Sequence, residues 1–143
     1  MGKIKRVKAL VCILIALLAG LKVVGAPLEL RGRVVCLAEN GKPTANHEHI
    51  YGFKTAEGKT YKLVRAKLSE ALFVDKRLHE KELLLKGKVD GEKFEPTAIQ
   101  SVKNGVICEV YYWCDICAIE AVAPEICVCC QGPVELIEKP IRK

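Results

Sequence analysis

The stretch that sets the predicted fold is residues 28–38, LELRGRVVCLA, in which apolar and charged side chains alternate. Leu30, Val34 and Cys36 fall on one face of this segment, and its charged side chains fall on the other. An alternation with a period of two residues is typical of a β-strand that buries one face. Gly32, inside the strand, predicts a bend or the close approach of another backbone. The pattern also predicts that Cys36 points into the interior as a small apolar side chain.

Four more strands are predicted downstream, in two pairs. The first pair covers Ile50–Thr55 and Thr60–Arg65, and the second covers Leu83–Val89 and Lys93–Val102. Turn residues join the members of each pair, since Gly58 lies in the first connection and Asp90-Gly91 in the second. Between the two pairs, Ser69 is predicted to cap a short helix that runs through Phe73, with Leu68, Ala71 and Leu72 on its apolar side.

This order of strand, hairpin, short helix and strand pair resembles the OB-fold, a five-stranded Greek-key barrel. Residues 30–34, LRGRV, and residues 85–89, LKGKV, echo one another. The similarity is to small exported bacterial OB-fold domains and the broader anticodon-binding-like group, and it covers Leu28–Val102. It implies that the first and fourth strands are neighbours, each with a bend-forming glycine, Gly32 and Gly87. We expect a mainly β fold, an OB-fold-like small Greek-key barrel with one short helix, followed by a cysteine-rich knuckle or hairpin.

The first 26 residues have the layout of a secretory signal peptide. A basic start (Lys3, Lys5, Arg6 and Lys8) precedes an apolar run, Ala9–Leu21, that is shorter than the roughly 20 residues a spanning helix needs. We expect cleavage near Ala26 and export to the periplasm or the extracellular space. Removal of this segment, which holds five cations and no acid, takes the formal net charge from +6 to +1. A nearly neutral body is not the electrostatic footprint of a nucleic-acid-binding protein.

Six of the eight cysteines lie between positions 108 and 130, and four of them form two C-x-x-C pairs. Two such pairs facing each other across a short loop, here Ala118–Ile126, present four thiolates to one tetrahedral ion. The sequence therefore predicts a structural Zn²⁺ site. Its predicted ligands are Cys114, Cys117, Cys127 and Cys130.

The same segment resembles the zinc ribbons. Tyr112 and Trp113 lead into the first pair, and Val134–Ile137 leads out of the second. The resemblance implies that these two runs form the strands of a ribbon and that the same four cysteines are the ligands. The whole chain also resembles a family of exported bacterial proteins with this C-terminal cysteine segment, and no activity follows from that likeness. The domains expected are a signal peptide (1–26), an OB-fold-like barrel (27–103) and a zinc-ribbon-like tail (104–143).

Other chemistry of the cysteines stays open at this point. Export favours disulfides, but seven cysteines remain after residue 26, so complete pairing leaves one thiol over. Cys129, inside the second pair, is the candidate reactive thiol or alternate ligand, while Cys108 is expected to be a core side chain like Cys36. His47 and His49 are interpreted as a solvated pair in a polar loop rather than metal ligands.

No nucleophile elbow, Cys–His arrangement or glycine-rich phosphate loop occurs in the sequence. We therefore expect a non-enzymatic, exported binding or scaffold protein with no membrane span in the mature chain. Two other functions are compatible with the sequence. One is thiol–disulfide or soft-metal handling, and the other is binding of a sugar or nucleic-acid oligomer on the barrel face, although nucleic acid is not expected from the charge.

Overall fold

The computed structural model describes residues 27–44 and 50–142. The predicted signal peptide and the two histidines His47 and His49 lie outside the described residues. The strands are β1 (Leu28–Leu37), β2 (Ile50–Thr55), β3 (Thr60–Leu63), β4 (Glu82–Asp90), β5 (Lys93–Lys103), β6 (Val106–Cys114), β7 (Ile119–Ala121) and β8 (Glu135–Pro140). The helical segments are a 3-10 turn (Lys67–Ser69), α1 (Ala71–Val74) and α2 (Lys76–His79). The prediction of a mainly β fold with a cysteine-rich C-terminal region is confirmed.

The first five strands pair in a closed cycle. β1 lies antiparallel to both β2 and β4, β2 pairs with β3, and β4 pairs with β5. The cycle closes through a short parallel pairing of β3 with β5, in which Lys62 lies opposite Lys93 and Leu63 opposite Phe94. The result is barrel-like, and the first and fourth strands are neighbours as expected. We call residues 28–103 the ring body. Membership of an OB-fold family stays a prediction.

Two glycines allow the strands of the ring body to approach closely. A Cβ atom on Gly32 would collide with the carbonyl oxygen of Lys54, and one on Gly87 would collide with that of Glu95. Gly87 also lies where the β4–β5 register shifts. The predicted close approach at Gly32 is confirmed, because any side chain there would force the backbone of β2 away.

The interior of the ring body is one apolar cluster to which β1–β5 and the helical segments all contribute. Leu72, Leu78, Leu83, Leu85 and Phe94 are each fully shielded from solvent. Tyr112 and Ala123, from beyond the predicted barrel boundary, belong to the same cluster. The core therefore includes side chains from the cysteine-rich segment.

Two details of the sequence prediction are wrong. Leu37 rather than Cys36 is buried at the end of β1, because its side chain fills the space that the missing side chain of Gly52 leaves on β2.

The helical region also differs from the prediction, because Ser69 does not cap α1. Its hydroxyl instead accepts a hydrogen bond from the backbone N–H of Ala66 within the 3-10 turn, and Leu68 is exposed. The single predicted helix is divided into three short segments.

The remaining strands form what we call the cysteine lobe, residues 104–142. β6 continues the sheet from β5 through a turn in which Asn104 and Gly105 both have positive φ, 51° and 78°. The first half of β6 pairs with β5 and the second half with β7, while β8 lies along its other edge. The predicted domain boundary at residues 103/104 thus falls in the turn of a hairpin. Separate folding of the two parts stays a prediction.

Candidate metal centre

The first cysteine pair is held by the end of β6 and a tight turn. Cys114 is the last residue of the strand, and its carbonyl oxygen accepts a hydrogen bond from the backbone N–H of Ala118 at 2.8 Å. Ala118 has φ 52°, a left-handed conformation that reverses the chain immediately after Cys117. We call Cys114–Ala118 the first hook. β7 then returns along β6, with Ile119 opposite Cys114.

The second cysteine pair repeats this geometry outside any strand. The backbone N–H of Gln131 donates to the carbonyl of Cys127 at 2.9 Å, and Gln131 has φ 58°. The N–H of Cys127 in turn donates to the carbonyl of Gly132 at 2.8 Å, which closes the turn from both ends. We call Cys127–Gly132 the second hook. The two hooks therefore share one hydrogen-bond pattern although they differ at every position between their cysteines.

The hooks bring four sulfur atoms together. The Sγ atoms of Cys114, Cys117, Cys127 and Cys130 all lie within 4.8 Å of one another. The Sγ atoms of Cys114 and Cys130 lie 3.5 Å apart. Four thiolates around Zn²⁺ have Zn–S bonds of about 2.3 Å, so tetrahedral sulfurs lie roughly 3.8 Å apart. The donor set, its spacing and its partial burial thus fit a tetrahedral metal ion. Cysteines 36, 108, 114, 117, 127, 129 and 130 are free thiols.

The thiols of the cluster differ in acidity. The backbone N–H groups of Cys130 and Cys129 donate to the sulfur of Cys127 and lower its pKa to about 6. A hydrogen bond with Cys129, together with burial, raises the pKa of Cys117. The pKa of Cys114 is also raised, since burial and the neighbouring thiols outweigh the opposing N–H of Cys117. The cluster thus combines one thiol of lowered pKa with thiols that would have to lose their protons on binding a cation.

The other cysteines lie apart from the four-sulfur cluster. Cys108 is buried, as predicted, whereas Cys36 is only half-buried. Cys129 is exposed and lies outside the cluster, although its thiol contacts that of Cys117. His79, for which the sequence offered no partner, lies 2.7 Å from the carbonyl oxygen of Leu72 and against the ring of Tyr51.

The runs that lead into the first hook and out of the second lie in two paired strands, β6 and β8, and we call this strand pair the ribbon. β6 and β8 are antiparallel, with Tyr112 opposite Leu136 and Trp113 opposite Glu135. β8 begins one residue later than the predicted run and extends to Pro140. Both hooks consequently lie at the same end of the β6–β8 pair, which is why their sulfurs meet.

A polar contact that the sequence did not reveal joins the ribbon to the ring body. The hydroxyl of Tyr112 donates to Asp75 at 2.7 Å, and the Arg77 guanidinium and backbone N–H donate to the same carboxylate. Burial opposes ionisation of Asp75, but these hydrogen bonds outweigh it and hold its pKa below the ordinary value. Burial and the bond to Asp75 raise the pKa of Tyr112. Because the partners are 37 residues apart, no local sequence pattern signals the contact.

The ring body also has an open groove, of about 550 Å³, at the β1–β2 and β4–β5 connections. Three cationic and three acidic side chains line it, so it carries no charge bias toward a polyanion. They are Lys42, Lys62, Lys93, Glu39, Asp90 and Glu92.

Comparison of the chain with protein-family models, with curated proteins and with solved structures finds no match. Within residues 27–44 and 50–142, none of the helices has the length and apolar character required to cross a bilayer.

Proposed function

We propose that this protein is a non-enzymatic, exported binding or scaffold module whose cysteine lobe is held together by one structural Zn²⁺ ion. The observation that supports the proposal is the convergence of four sulfurs from two hooks of the same backbone geometry. Cys114, Cys117, Cys127 and Cys130 would hold the ion. Bound zinc would cross-link β6 to the segment that precedes β8 and so fix the whole lobe.

The reason for a structural role is the size of the lobe. Thirty-nine residues cannot bury an extensive apolar core, and domains below about 40 residues usually need a metal or disulfides. All four sulfur positions come from the protein, which leaves no open coordination position of the kind that catalytic zinc keeps for water or substrate. The proposed metal therefore stabilises structure.

Native mass spectrometry of the mature protein, with and without reductant, tests this proposal. We expect a mass gain of one zinc ion and seven free thiols. Protein without metal that has lost two protons per cysteine pair would instead support disulfides and contradict the zinc site. The same spectra give the mature N-terminus, expected at or near Pro27; recovery of a peptide spanning Lys3–Lys22 from soluble mature protein would contradict cleavage.

A second candidate function, thiol–disulfide exchange or soft-metal handling, is favoured by the position of Cys129. This thiol is exposed and contacts Cys117, so it offers incoming disulfides or soft metal ions a route to the cluster. Cys129→Ser separates the two candidates. Under the zinc-scaffold proposal the variant keeps its metal, whereas under the exchange function it loses reactivity toward a model disulfide. A Cys36→Ser variant is the matched control, since Cys36 lies on β1.

A further inference from the structure

The outer surface of the two hooks carries the most exposed apolar side chains in the described part of the chain. Ile116 and Val128 are each 78% exposed and Ile126 is 62% exposed. Ile116 and Val128 are interior residues of the first and second hooks, and Ile126 directly precedes Cys127. We call these three residues the apolar tip. Aliphatic side chains held this far into solvent have a hydrophobic cost that burial against a partner removes.

The apolar tip is presented by a fixed framework. Ile116 reaches across to the second hook, because its Cδ1 atom lies 3.7 Å from the position a Cβ atom would take on Gly132. Each hook is also closed by a backbone hydrogen bond to the carbonyl oxygen of its first cysteine. The N–H of Ala118 donates to Cys114 at 2.8 Å, and the N–H of Gln131 donates to Cys127 at 2.9 Å. A pre-organised surface of this kind loses little conformational entropy when a partner binds.

The charged side chains that lie near the apolar tip in the sequence are all acidic. Residues 104–138 contain six acidic side chains and no lysine, arginine or histidine. Asp115 and Glu125 are exposed immediately beside the tip residues in sequence. The first cation of the lobe in sequence, Lys139, lies opposite Glu109 near the middle of β6, five residues from Cys114 or about 17 Å along the strand.

We infer that the apolar tip is a docking surface for a polypeptide segment in which lysine or arginine side chains flank aliphatic ones. Aliphatic side chains of the partner would cover Ile116, Ile126 and Val128, and its cations would lie against Asp115 and Glu125. The acidic rim repels the anionic headgroups of a membrane surface, and it also repels the same acidic rim on a second copy of the lobe. The inference rests on the proposed function in that the closed metal site holds the hooks together.

A synthetic peptide of alternating lysine and leucine, labelled with a fluorophore, is the probe. We expect saturable binding to the full mature chain, weakened by rising salt as charge pairing across an exposed rim requires. The double variant Ile116→Ser/Val128→Ser should lose about tenfold or more in affinity, because it removes the centre of the surface. Asp115→Asn/Glu125→Gln should lose affinity at low salt and approach the wild type at high salt.

Two controls keep the outcome interpretable. Val74→Ser/Val89→Ser removes two exposed valines of the ring body, 47% and 37% exposed, and should bind the peptide as the wild type does. A peptide of alternating glutamate and leucine should not bind. Three results would overturn the inference. They are equal binding of both peptides, an unchanged affinity of Ile116→Ser/Val128→Ser, and binding to anionic lipid vesicles in place of the cationic peptide.

Zinc content measured on the same samples separates this inference from the proposed function. Ile116→Ser/Val128→Ser should keep one zinc ion per chain, because neither residue is a ligand. If the wild type holds no zinc yet binds the cationic peptide, the docking surface stands and the structural zinc site fails. If the wild type holds zinc and the variants bind the peptide unchanged, the zinc site stands and the docking surface fails.

Discussion

The ring body and the cysteine lobe reach stability by different physical means. The ring body places its apolar side chains inside, where residues such as Leu72, Leu83 and Phe94 are fully shielded. The lobe turns Ile116, Ile126 and Val128 outward and brings four sulfur atoms together at one end of the β6–β8 pair. The difference teaches that a closed cycle of strands is organised by hydrophobic burial, whereas a short segment with little interior volume is suited to the cross-link that we propose.

The largest expected difference between the two regions should follow from removing one proposed metal ligand, which affects the lobe and not the ring body. Cys114→Ser and Cys130→Ser should each abolish stoichiometric zinc, because three thiolates bind the ion far more weakly than a complete set of four, for which the apparent binding free energy in small zinc modules is about 10–16 kcal/mol. Metal analysis checks the zinc, and fluorescence of Trp113, the only tryptophan, reports the lobe. Circular dichroism should show that the ring body keeps its cooperative transition. Cys36→Ser is the control, and loss of zinc from that variant would contradict the ligand assignment.

The next largest effect should come from removing the lobe's contribution to the core. A chain that ends at Lys103 should retain a cooperative thermal transition at a lower temperature, because Tyr112 leaves the apolar cluster. In the full chain, Tyr112→Ala should reproduce most of this loss, about 3–5 kcal/mol as for other large-to-small core substitutions. If the shortened chain is unfolded at room temperature, the lobe is part of a single folding unit and the two regions cannot be treated separately.

A third prediction concerns the ring body alone. Gly32→Ala should lower the free energy of unfolding by about 1–3 kcal/mol, because the added methyl group collides with the backbone of Lys54 and forces the strands apart. Zinc content should not change. Glu57→Ala is the control, since Glu57 is exposed in the turn that follows β2. Equal denaturation midpoints for Gly32→Ala and the wild type would show that β1 and β2 are not as close as described.

The smallest expected effect tests the polar contact between the regions. Tyr112→Phe should cost on the order of 1 kcal/mol, since Asp75 loses one hydrogen bond and keeps those from Arg77. A carboxylate whose pKa is lowered in the folded state stabilises the protein above its ordinary pKa, about 3.9, and loses that effect as pH falls further. Tyr112 has a raised pKa, so its contribution is complete below about pH 10 and declines above it.

The difference in unfolding free energy between the wild type and Tyr112→Phe should therefore be greatest between about pH 5 and pH 9 and should shrink on both sides. Urea denaturation across this range measures it. A difference that is constant with pH would mean that the hydroxyl and the carboxylate do not interact.

Structural features formed by residues that are close together in the sequence could be predicted. The turns at Gly58 and Asp90-Gly91 join the strands expected of them, and the two C-x-x-C pairs supply the four sulfurs that converge. In each case the interacting residues are separated by only a few positions or by one short loop. The backbone geometry that such a turn requires restricts which residues can occupy it, and that restriction is visible in the sequence.

Features that depend on distant partners could not be predicted. Burial at the end of β1 moves from Cys36 to Leu37 because Gly52, on another strand, leaves space for the larger side chain. Tyr112 is buried against Asp75 because β6 and the helical segments pack together, which the pattern of neither segment indicates. The surface that a strand packs against therefore decides whether its buried and exposed side chains alternate strictly.

The position of β8 has a mechanical consequence. Within the sheet this strand pairs with β6 alone, and its last residue, Pro140, lies opposite Cys108. A force that pulls the C-terminus away from the sheet would part the β6–β8 ladder one residue pair at a time, from Pro140 back to Glu135. Just before that point lies the second hook, where the proposed metal, if bound, would have to lose its bonds to sulfur before peeling went further. The cysteine cluster would then pass the tension directly to β6 and spare the loop Ala118–Ile126.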